Sequence, residues 1–350
     1  MIQPLLDLTV VIPNYNTREL LRNCLESIFR YTSGIRFEVI CVDGNSPDGS
    51  AEMVAENFPD VMLIRNKVNE SYAKSVNQGI RSSRARYVCL LDSDTLLIEN
   101  MLEPLVRFMD EHPEVAVCGP KLLNPDGSVQ HHIRSFASLG IFLLQALNWH
   151  KLFPKSKLMN RYYNTDFDYS RAQPVQSIGT SAYVIRRSTW EAVGMLDERF
   201  RWAMPDLAYN YTLHQTGYKL YYTPCTQVVH FGGQTASQDV LRALREQCQG
   251  LIDFSEAYDY FGKGRLTKAL VRLGVRARYC SKVLGYYISS DKRVIKGPGA
   301  PTREIAVKAA LLAGGPALRH TTKERAAEFD QATCASFSQS RPDANSVASQ

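Results

Sequence analysis

Two carboxylates one residue apart, Asp92 and Asp94, stand directly after the apolar run 87–91. A strand ending on such a pair puts both side chains in the turn beyond it. There one can meet a ribose or a water and the other a divalent ion. Hard oxygen ligands of this kind suit magnesium or manganese held on a diphosphate; a turn-forming aspartate is the plainer alternative. A further carboxylate, Asp43, ends the run 37–42 and opens Asp43-Gly-Asn-Ser-Pro-Asp-Gly-Ser. Ser46 or Asp48 in that stretch is a natural cap for a following helix, and capping alone does not account for Asp43 at the strand tip. No Gly-x-x-x-x-Gly-Lys-Ser/Thr loop and no Gly-x-Gly-x-x-Gly turn follows the first strand, so kinase, P-loop and dinucleotide-binding readings lose their main support. The absence of a Gly-x-Ser-x-Gly elbow does the same for hydrolase chemistry.

The elements that must position these groups are legible in the first 120 residues. Short β-rich runs at 8–12, 37–42, 61–64, 87–91 and 115–118 alternate with helical patterns at 17–31, 49–57, 72–82 and 99–111. Strands of continuous apolar character between amphipathic helices predict a parallel sheet covered on both faces. Ligands of such sheets sit beyond the carboxyl ends of the strands. Those ends read Pro13-Asn-Tyr-Asn, Asp43-Gly-Asn-Ser and Asp92-Ser-Asp. The stretch 121–233 is more mixed, with strands expected at 175–185 and 219–229 and helices at 188–193 and 206–215. The aromatic-rich stretch 136–169 is expected to be a loop region with a helix at 139–147, and it is the first guess for acceptor contacts.

Composition and charge bound the rest. A hydrophobic share of 45% with 22% charged residues is that of a folded globular chain, and 350 residues suffice for one large core and an appendage. The eight cysteines contain no Cys-x-x-Cys pair, and Cys41, Cys89 and Cys118 fall in apolar runs, which points to small core residues in a reducing compartment. The chain does not open on a basic-then-apolar leader, and its apolar stretches fall short of the ~20 residues of a spanning helix. The expectation is therefore a cytoplasmic protein. Of the net charge of +6, the segment 261–325 carries +12, from fifteen Lys or Arg against Asp291, Glu304 and Glu324, and the remainder carries −6. Within it, 266–288 has helical apolar spacing interleaved with Arg and Lys, either a basic amphipathic helix on an anionic membrane or a helix packed on its own domain by its apolar stripe. Residues 326–350 lack periodicity and read as a disordered tail.

In order along the chain, Thr9-Val-Val-Ile-Pro-Asn-Tyr-Asn, Val42-Asp-Gly-Asn-Ser-Pro-Asp-Gly-Ser, Asn66-Lys-Val-Asn-Glu-Ser-Tyr-Ala-Lys-Ser-Val-Asn-Gln-Gly and Leu90-Leu-Asp-Ser-Asp resemble the nucleotide half of a family 2 glycosyltransferase. The resemblance continues through Leu122-Leu-Asn-Pro-Asp-Gly-Ser-Val-Gln, Gly179-Thr-Ser-Ala-Tyr-Val-Ile-Arg-Arg, Val193-Gly-Met-Leu-Asp and Val229-His-Phe-Gly-Gly, covering about 7–260. The Asn-Pro-Asp-Gly-Ser-Val-Gln element, followed by Arg134-Ser-Phe, is similar to the rhamnosyltransferase-like branch. The fold implied is α/β of the GT-A type, a Rossmann-like mixed sheet with helices on both faces, plus a C-terminal helical basic extension. Residues 1–120 would be the nucleotide-sugar half, 121–260 the acceptor half and 261–325 the extension.

The resemblance further implies that Pro13, Tyr15, Asn16 and Asn77 belong to the nucleotide pocket and that Asp43 accepts from N3–H of a uracil or thymine. Asp92 would contact ribose, Asp94 would coordinate magnesium or manganese, and His230 would help bind the metal or diphosphate; on its own, His230 could equally be a half-buried histidine ending a strand. The family's Glu-Asp-x-Asp-Leu pattern survives here as Pro205-Asp-Leu-Ala, which leaves Asp206 as the candidate base of an inverting transfer, or as a cap of the helix it opens. The implied donor is a UDP- or dTDP-sugar and the acceptor a glycan or polyprenyl-diphosphate-linked sugar at the inner face of the plasma membrane. The replacements at Pro205 and Ala208 motivate a second reading, a non-catalytic GT-A subunit that binds nucleotide-sugar or glycan. No recognised nucleic-acid motif accompanies the basic segment, so no nucleic-acid partner is expected.

Overall fold

The computed structural model describes residues 6–146, 162 and 164–288. The 326–350 segment, the basic stretch beyond 288, Cys334 and most of 147–163 lie outside the described residues. The N-terminal part is built from β1 (Leu6–Asn14), α1 (Arg18–Tyr31), β2 (Phe37–Asp43), α2 (Ser50–Asn57), β3 (Val61–Arg65), α3 (Tyr72–Ser82) and β4 (Ala85–Leu91), then β5 (Thr95–Leu97), α4 (Leu102–Glu111) and β6 (Val115–Leu123). There follow β7 (Ile133–Arg134), α5 (Leu139–Ala146), β8 (Gln173–Val175), β9 (Ser177–Ile178), β10 (Ala182–Arg186), α6 (Arg187–Val193), α7 (Pro205–Gln215) and β11 (Lys219–His230). Three helices, α8 (Gln234–Gln238), α9 (Val240–Ala257) and α10 (Arg265–Ile288), complete the described chain.

The nine-stranded sheet runs β3-β2-β1-β4-β10-β6-β11-β5, with β8 also on β11. β1 to β4 are mutually parallel where they pair, so Asn14 lies opposite Asp43 and the two tips share one edge with the end of β4. Two expectations are corrected here. β6 does not continue the parallel set, because β10 inserts antiparallel between it and β4. The strand expected at 175–185 is three pieces: a bend at Gln176 and a turn at Thr180-Ser181 break it, β8 joins β11, and β9 pairs with β7 outside the main sheet. The helix expected from 99 starts at Leu102, since the Glu99 carboxylate is occupied by Thr226 Oγ1 at 2.9 Å and the Gln227 amide at 3.0 Å.

Strand residues alternate between the two faces, as the pleat demands. Val10, Ile12, Cys41, Cys89 and Leu91 pack under Leu21, Cys24, Leu25 and Ile28 of α1, one helical stripe. Val11, Val88 and Leu90 face Ala73, Val76 and Ile80 of α3. Gly79 lets α3 sit this close, because a Cβ there would overlap Val11. Cys24, Cys41, Cys89, Cys118 and Cys248 are free and buried, and burial pushes the Cys24 and Cys89 thiols up to about 12, the behaviour of inert core groups.

Of the two roles open to 266–288, the packed one is realised on one side of α10. Val271 and Val275 bury against Phe142 of α5 and Cys248 of α9. The opposite side leaves Leu266, Leu273, Leu284, Tyr287 and Ile288 between 60% and 74% exposed. Among the described residues, no helix is long and apolar enough to cross a membrane.

Candidate active site

The tip of β4 and the end of β11 meet through the short strand β5. Thr95, directly after Asp94, pairs with His230, and the Phe231 amide donates to the Asp94 carbonyl at 2.9 Å. That pairing sets the His230 imidazole against both carboxylates: Nε2 is 3.4 Å from Asp94 Oδ1 and 3.7 Å from Asp92 Oδ2. One ligand atom from each of Asp92, Asp94 and His230 lies within 4.8 Å of the others. Two carboxylate oxygens and one imidazole nitrogen at that spacing fit a divalent cation of the magnesium or manganese kind, the nitrogen favouring the latter.

The electrostatics of the cluster are those of a site short of positive charge. Burial first, then the neighbouring Asp94 charge, push the Asp92 carboxyl up to about 6, while His230 pulls it the other way. Burial alone would lower His230, but Asp94 and Asp92 outweigh it and hold the imidazole above its ordinary value. The Asp92 amide donates to the Ser181 carbonyl at 3.0 Å, and the Tyr72 hydroxyl stands between Asp92 Oδ1 at 3.4 Å and Thr180 Oγ1 at 3.1 Å. The Gly179-Thr-Ser element is thus the floor under Asp92.

Tyr72 also lines a cavity of about 480 Å³ whose other walls include Pro13, Tyr15, Asn69, Trp202 and Arg242. Pro13 and Tyr15, the residues expected in a nucleotide pocket, line this cavity. Asn16 turns outward in a left-handed conformation, φ 56°, and exchanges two hydrogen bonds with Gln238: its Nδ2 donates at 3.0 Å and its carbonyl accepts at 2.8 Å. Asp43 is buried at the strand tip and braced. Its Oδ1 accepts from Asn14 Nδ2 at 2.9 Å and Ser46 Oγ at 2.6 Å, and its Oδ2 from the Ser46 amide at 2.9 Å.

Asn77 is not among the cavity's lining residues. Its Nδ2 donates to the Leu196 carbonyl at 2.8 Å and Glu198 Oε1 at 2.9 Å, and its Oδ1 accepts from the Leu196 amide at 3.1 Å. Its expected nucleotide contact is corrected accordingly: at 2% exposure with every polar atom engaged, Asn77 is a bracket between α3 and the 196–198 loop. The described aromatics of 136–169 are likewise committed to packing, Phe136 edge-on to Tyr211 at 5.4 Å and Tyr169 edge-on to Tyr222 at 5.2 Å.

Asp206 approaches from the other side. Met204, left-handed at φ 73°, turns the chain into α7, Pro205 takes the first helical position, and Asp206 follows. Burial raises the Asp206 carboxyl, against amide hydrogen bonds from Leu207 and from Asp206 itself that lower it. Its charge acts on both Asp92 and Tyr72. Trp202, with the Arg242 guanidinium 5.2 Å from its ring centre, Gln238 and Gln130 escaped sequence reasoning as site residues. Only Gln130 lies in a motif that could have flagged it.

The model of glycosyl transferase family 2 matches residues 9–176. Those residues carry a family 2 glycosyltransferase domain. The chain is 24% identical over 215 residues to the N-acetylglucosaminyl-diphospho-decaprenol L-rhamnosyltransferase of Mycobacterium tuberculosis (strain ATCC 25618 / H37Rv), covering 57% of this chain and 68% of that protein. It is 29% identical over 131 residues to the Minor teichoic acid biosynthesis protein GgaB of Bacillus subtilis (strain 168), covering 36% of this chain and 15% of that protein. The crystal structure of GalNAc-T7 with UDP, GalNAc and Mn2+ superposes with a TM-score of 0.50 at 16% identity, over 83% of this chain and 59% of that one. At that identity the likeness carries the fold, which is GT-A. Within the family 2 match lie Asp43, Asp92 and Asp94; His230 and Asp206 lie beyond it.

Proposed function

We propose that this protein transfers a sugar, with inversion, from a UDP- or dTDP-linked donor to a glycan or polyprenyl-diphosphate-linked acceptor in surface polysaccharide synthesis, with rhamnose the first sugar to test. The observation that carries the proposal is the meeting of Asp92, Asp94 and His230 at the sheet edge, with Tyr72 joining Asp92 to the cavity and Asp206 near enough for its charge to act on both. Tyr15 and Pro13 offer a face to the base. Asp43, with one lone pair of Oδ2 left by its three donors, would accept N3–H of a uracil or thymine. Asp92, Asp94 and His230 would hold the magnesium or manganese, which supplies positive charge to the diphosphate as it leaves. Asp206 takes the proton of the acceptor hydroxyl; its raised carboxyl is a stronger base than an exposed aspartate. No covalent nucleophile is required.

The non-catalytic reading loses ground on Pro205 and Ala208. Both are buried, Ala208 packing with Phe200 and Phe254, so the missing acidic partners leave a filled core rather than a gap in the cleft.

The relative's lipid-linked acceptor and the outward face of α10 together support work at an anionic lipid surface. Leu266, Leu273, Leu284, Tyr287 and Ile288 form one exposed apolar stripe, and the helical spacing sets Arg265, Arg272 and Arg276 along its edge, the pattern of a helix lying in the headgroup plane. Co-sedimentation with anionic liposomes at low salt is expected, weakened by Leu273→Glu; no co-sedimentation removes the membrane from the reading.

Titration of the protein with UDP and dTDP, with and without manganese, tests the donor site. Binding is expected to depend on manganese and to be lost in Asp94→Ala. Absence of binding by the unaltered protein under every condition would sink the reading.

A further inference from the structure

The Asn124-Pro-Asp-Gly-Ser-Val-Gln element has a structural meaning that the proposed transfer chemistry does not itself use. Its turn is closed by the Asn124 amide donating to the Ser128 carbonyl at 2.8 Å and the Gly127 amide to the Asn124 carbonyl at 2.9 Å, with Gly127 at φ 82°. From that turn a chain of side-chain hydrogen bonds runs to His230, and the direction of each is fixed by the one before. Asp126, whose carboxyl Ser128 holds below the usual range, can only accept, so Ser128 Oγ donates to its Oδ1 at 2.6 Å. The Ser128 proton being spent, its oxygen accepts from Asn124 Nδ2 at 2.9 Å. Asn124 therefore turns Oδ1 toward Gln130, which donates Nε2 to it at 3.0 Å and to the His230 carbonyl at 3.2 Å. Gln130 is left to present Oε1 to His230 Nδ1, 2.7 Å away. The buried Gln130 amide, 8% exposed, has no second orientation that satisfies all of its partners.

We infer that Gln130 is a positioning residue, and that the turn behind it is a relay that fixes the proton of His230 on Nδ1, so that Nε2 faces Asp92 and Asp94 with its lone pair available to a divalent cation. Without that acceptor, the neutral imidazole can carry its proton on Nε2 and donate it to Asp94 Oδ1, 3.4 Å away, closing the ligand set against the ion. Partners that fix a ligating histidine's other nitrogen are worth about 10–100-fold in metal affinity. The inference rests on the metal reading of the cluster for its consequence and on hydrogen-bond direction for its cause, and the two are separable by experiment.

The experiment uses the full chain, labelled with 15N-histidine and metal-free, at a pH high enough to leave the imidazoles neutral, with the His230 signals assigned through His230→Gln. Nitrogen shifts are expected to show Nδ1 protonated and Nε2 bare. In Gln130→Met, which keeps the volume and removes the acceptor, the tautomer should shift toward protonated Nε2, and the affinity for Mn2+ alone should fall about 10–100-fold. Gln130→Glu, which restores an acceptor under Nδ1, should return the Nδ1-protonated form. An unchanged tautomer in Gln130→Met overturns the relay. Should that variant not fold, Ser128→Ala in the exposed turn carries the same test, and an unchanged His230 spectrum there overturns it equally. If the unaltered protein shows the fixed tautomer but binds no Mn2+, the metal reading fails and the relay stands.

Discussion

The two sides of the cleft are built differently. On the strand side, each group is held by the sheet and by a brace: three donors fix Asp43, and the β5–β11 pairing and Gln130 fix His230. On the helix side, Asp206 follows a left-handed Met204, and Gln238 follows Gly232 and Gly233 at φ 66° and 69°. Trp202 and Arg242 meet only ring to guanidinium. A side that must match a constant nucleotide diphosphate gains from being fixed before the ligand arrives. A side that must admit a donor and then an acceptor gains from exposed hydrogen bonds that cost little to break. In the proposed transfer, the strand side would recognise the donor and the helix side would commit it to reaction.

If that division holds, the largest effect on turnover without loss of donor binding comes from the helix side. Asp206→Asn should lower kcat about 10²–10⁴-fold while leaving manganese-dependent UDP or dTDP affinity unchanged, as measured by calorimetry beside a transfer assay. The pH profile sharpens this. A base acts only when ionised, and burial raises the Asp206 carboxyl, so activity should rise with pH through a midpoint above the ordinary aspartate range. That limb should vanish in the asparagine variant. A donor affinity that falls with kcat would place Asp206 among the strand side's recognition groups.

Asn77 breaks the comparison from the other direction, as a polar residue beside the strand side that should not affect the ligand. Asn77→Ala leaves the Leu196 amide and carbonyl buried without partners, which should cost about 2–4 kcal/mol of stability in denaturant unfolding. Donor affinity should be unaltered under conditions where the variant is folded. A loss of donor affinity at full folding would return Asn77 to the nucleotide pocket.

The same division governs what the sequence reveals. β1 to β4 and the carboxylates at their tips are legible because a strand buried on both faces is a continuous apolar run and its end is marked by polar residues. The direction of β10 is not, since an apolar run reads the same whichever way its neighbours point. The approach of His230 to Asp94 depends on the three-residue β5, too short to carry a periodicity, pairing with a strand more than a hundred residues away. Asn77 shows the reverse error: it sits in a motif that resembles a ligand contact, and only the hydrogen bonds to Leu196 and Glu198 reveal a bracket. Trp202 and Arg242 come from the helix side, where no spacing announces a site.

The smallest expected effect tests whether α8 closes the cavity or merely borders it. Gln238, which lines the cavity, exchanges two hydrogen bonds with Asn16, and both side chains are accessible to water, so the pair is worth about 1 kcal/mol at most. If the pair latches the helix side over a bound donor, Gln238→Ala should weaken donor affinity only about three- to fivefold and should do so through faster release, since association already occurs with the mouth open. Stopped-flow displacement of a fluorescent UDP analogue separates the two rates. A faster association with unchanged release would instead make the pair a barrier to entry. In that case the fixed strand side alone would account for donor retention, and the helix side would be left with Asp206 as its sole contribution to the reaction.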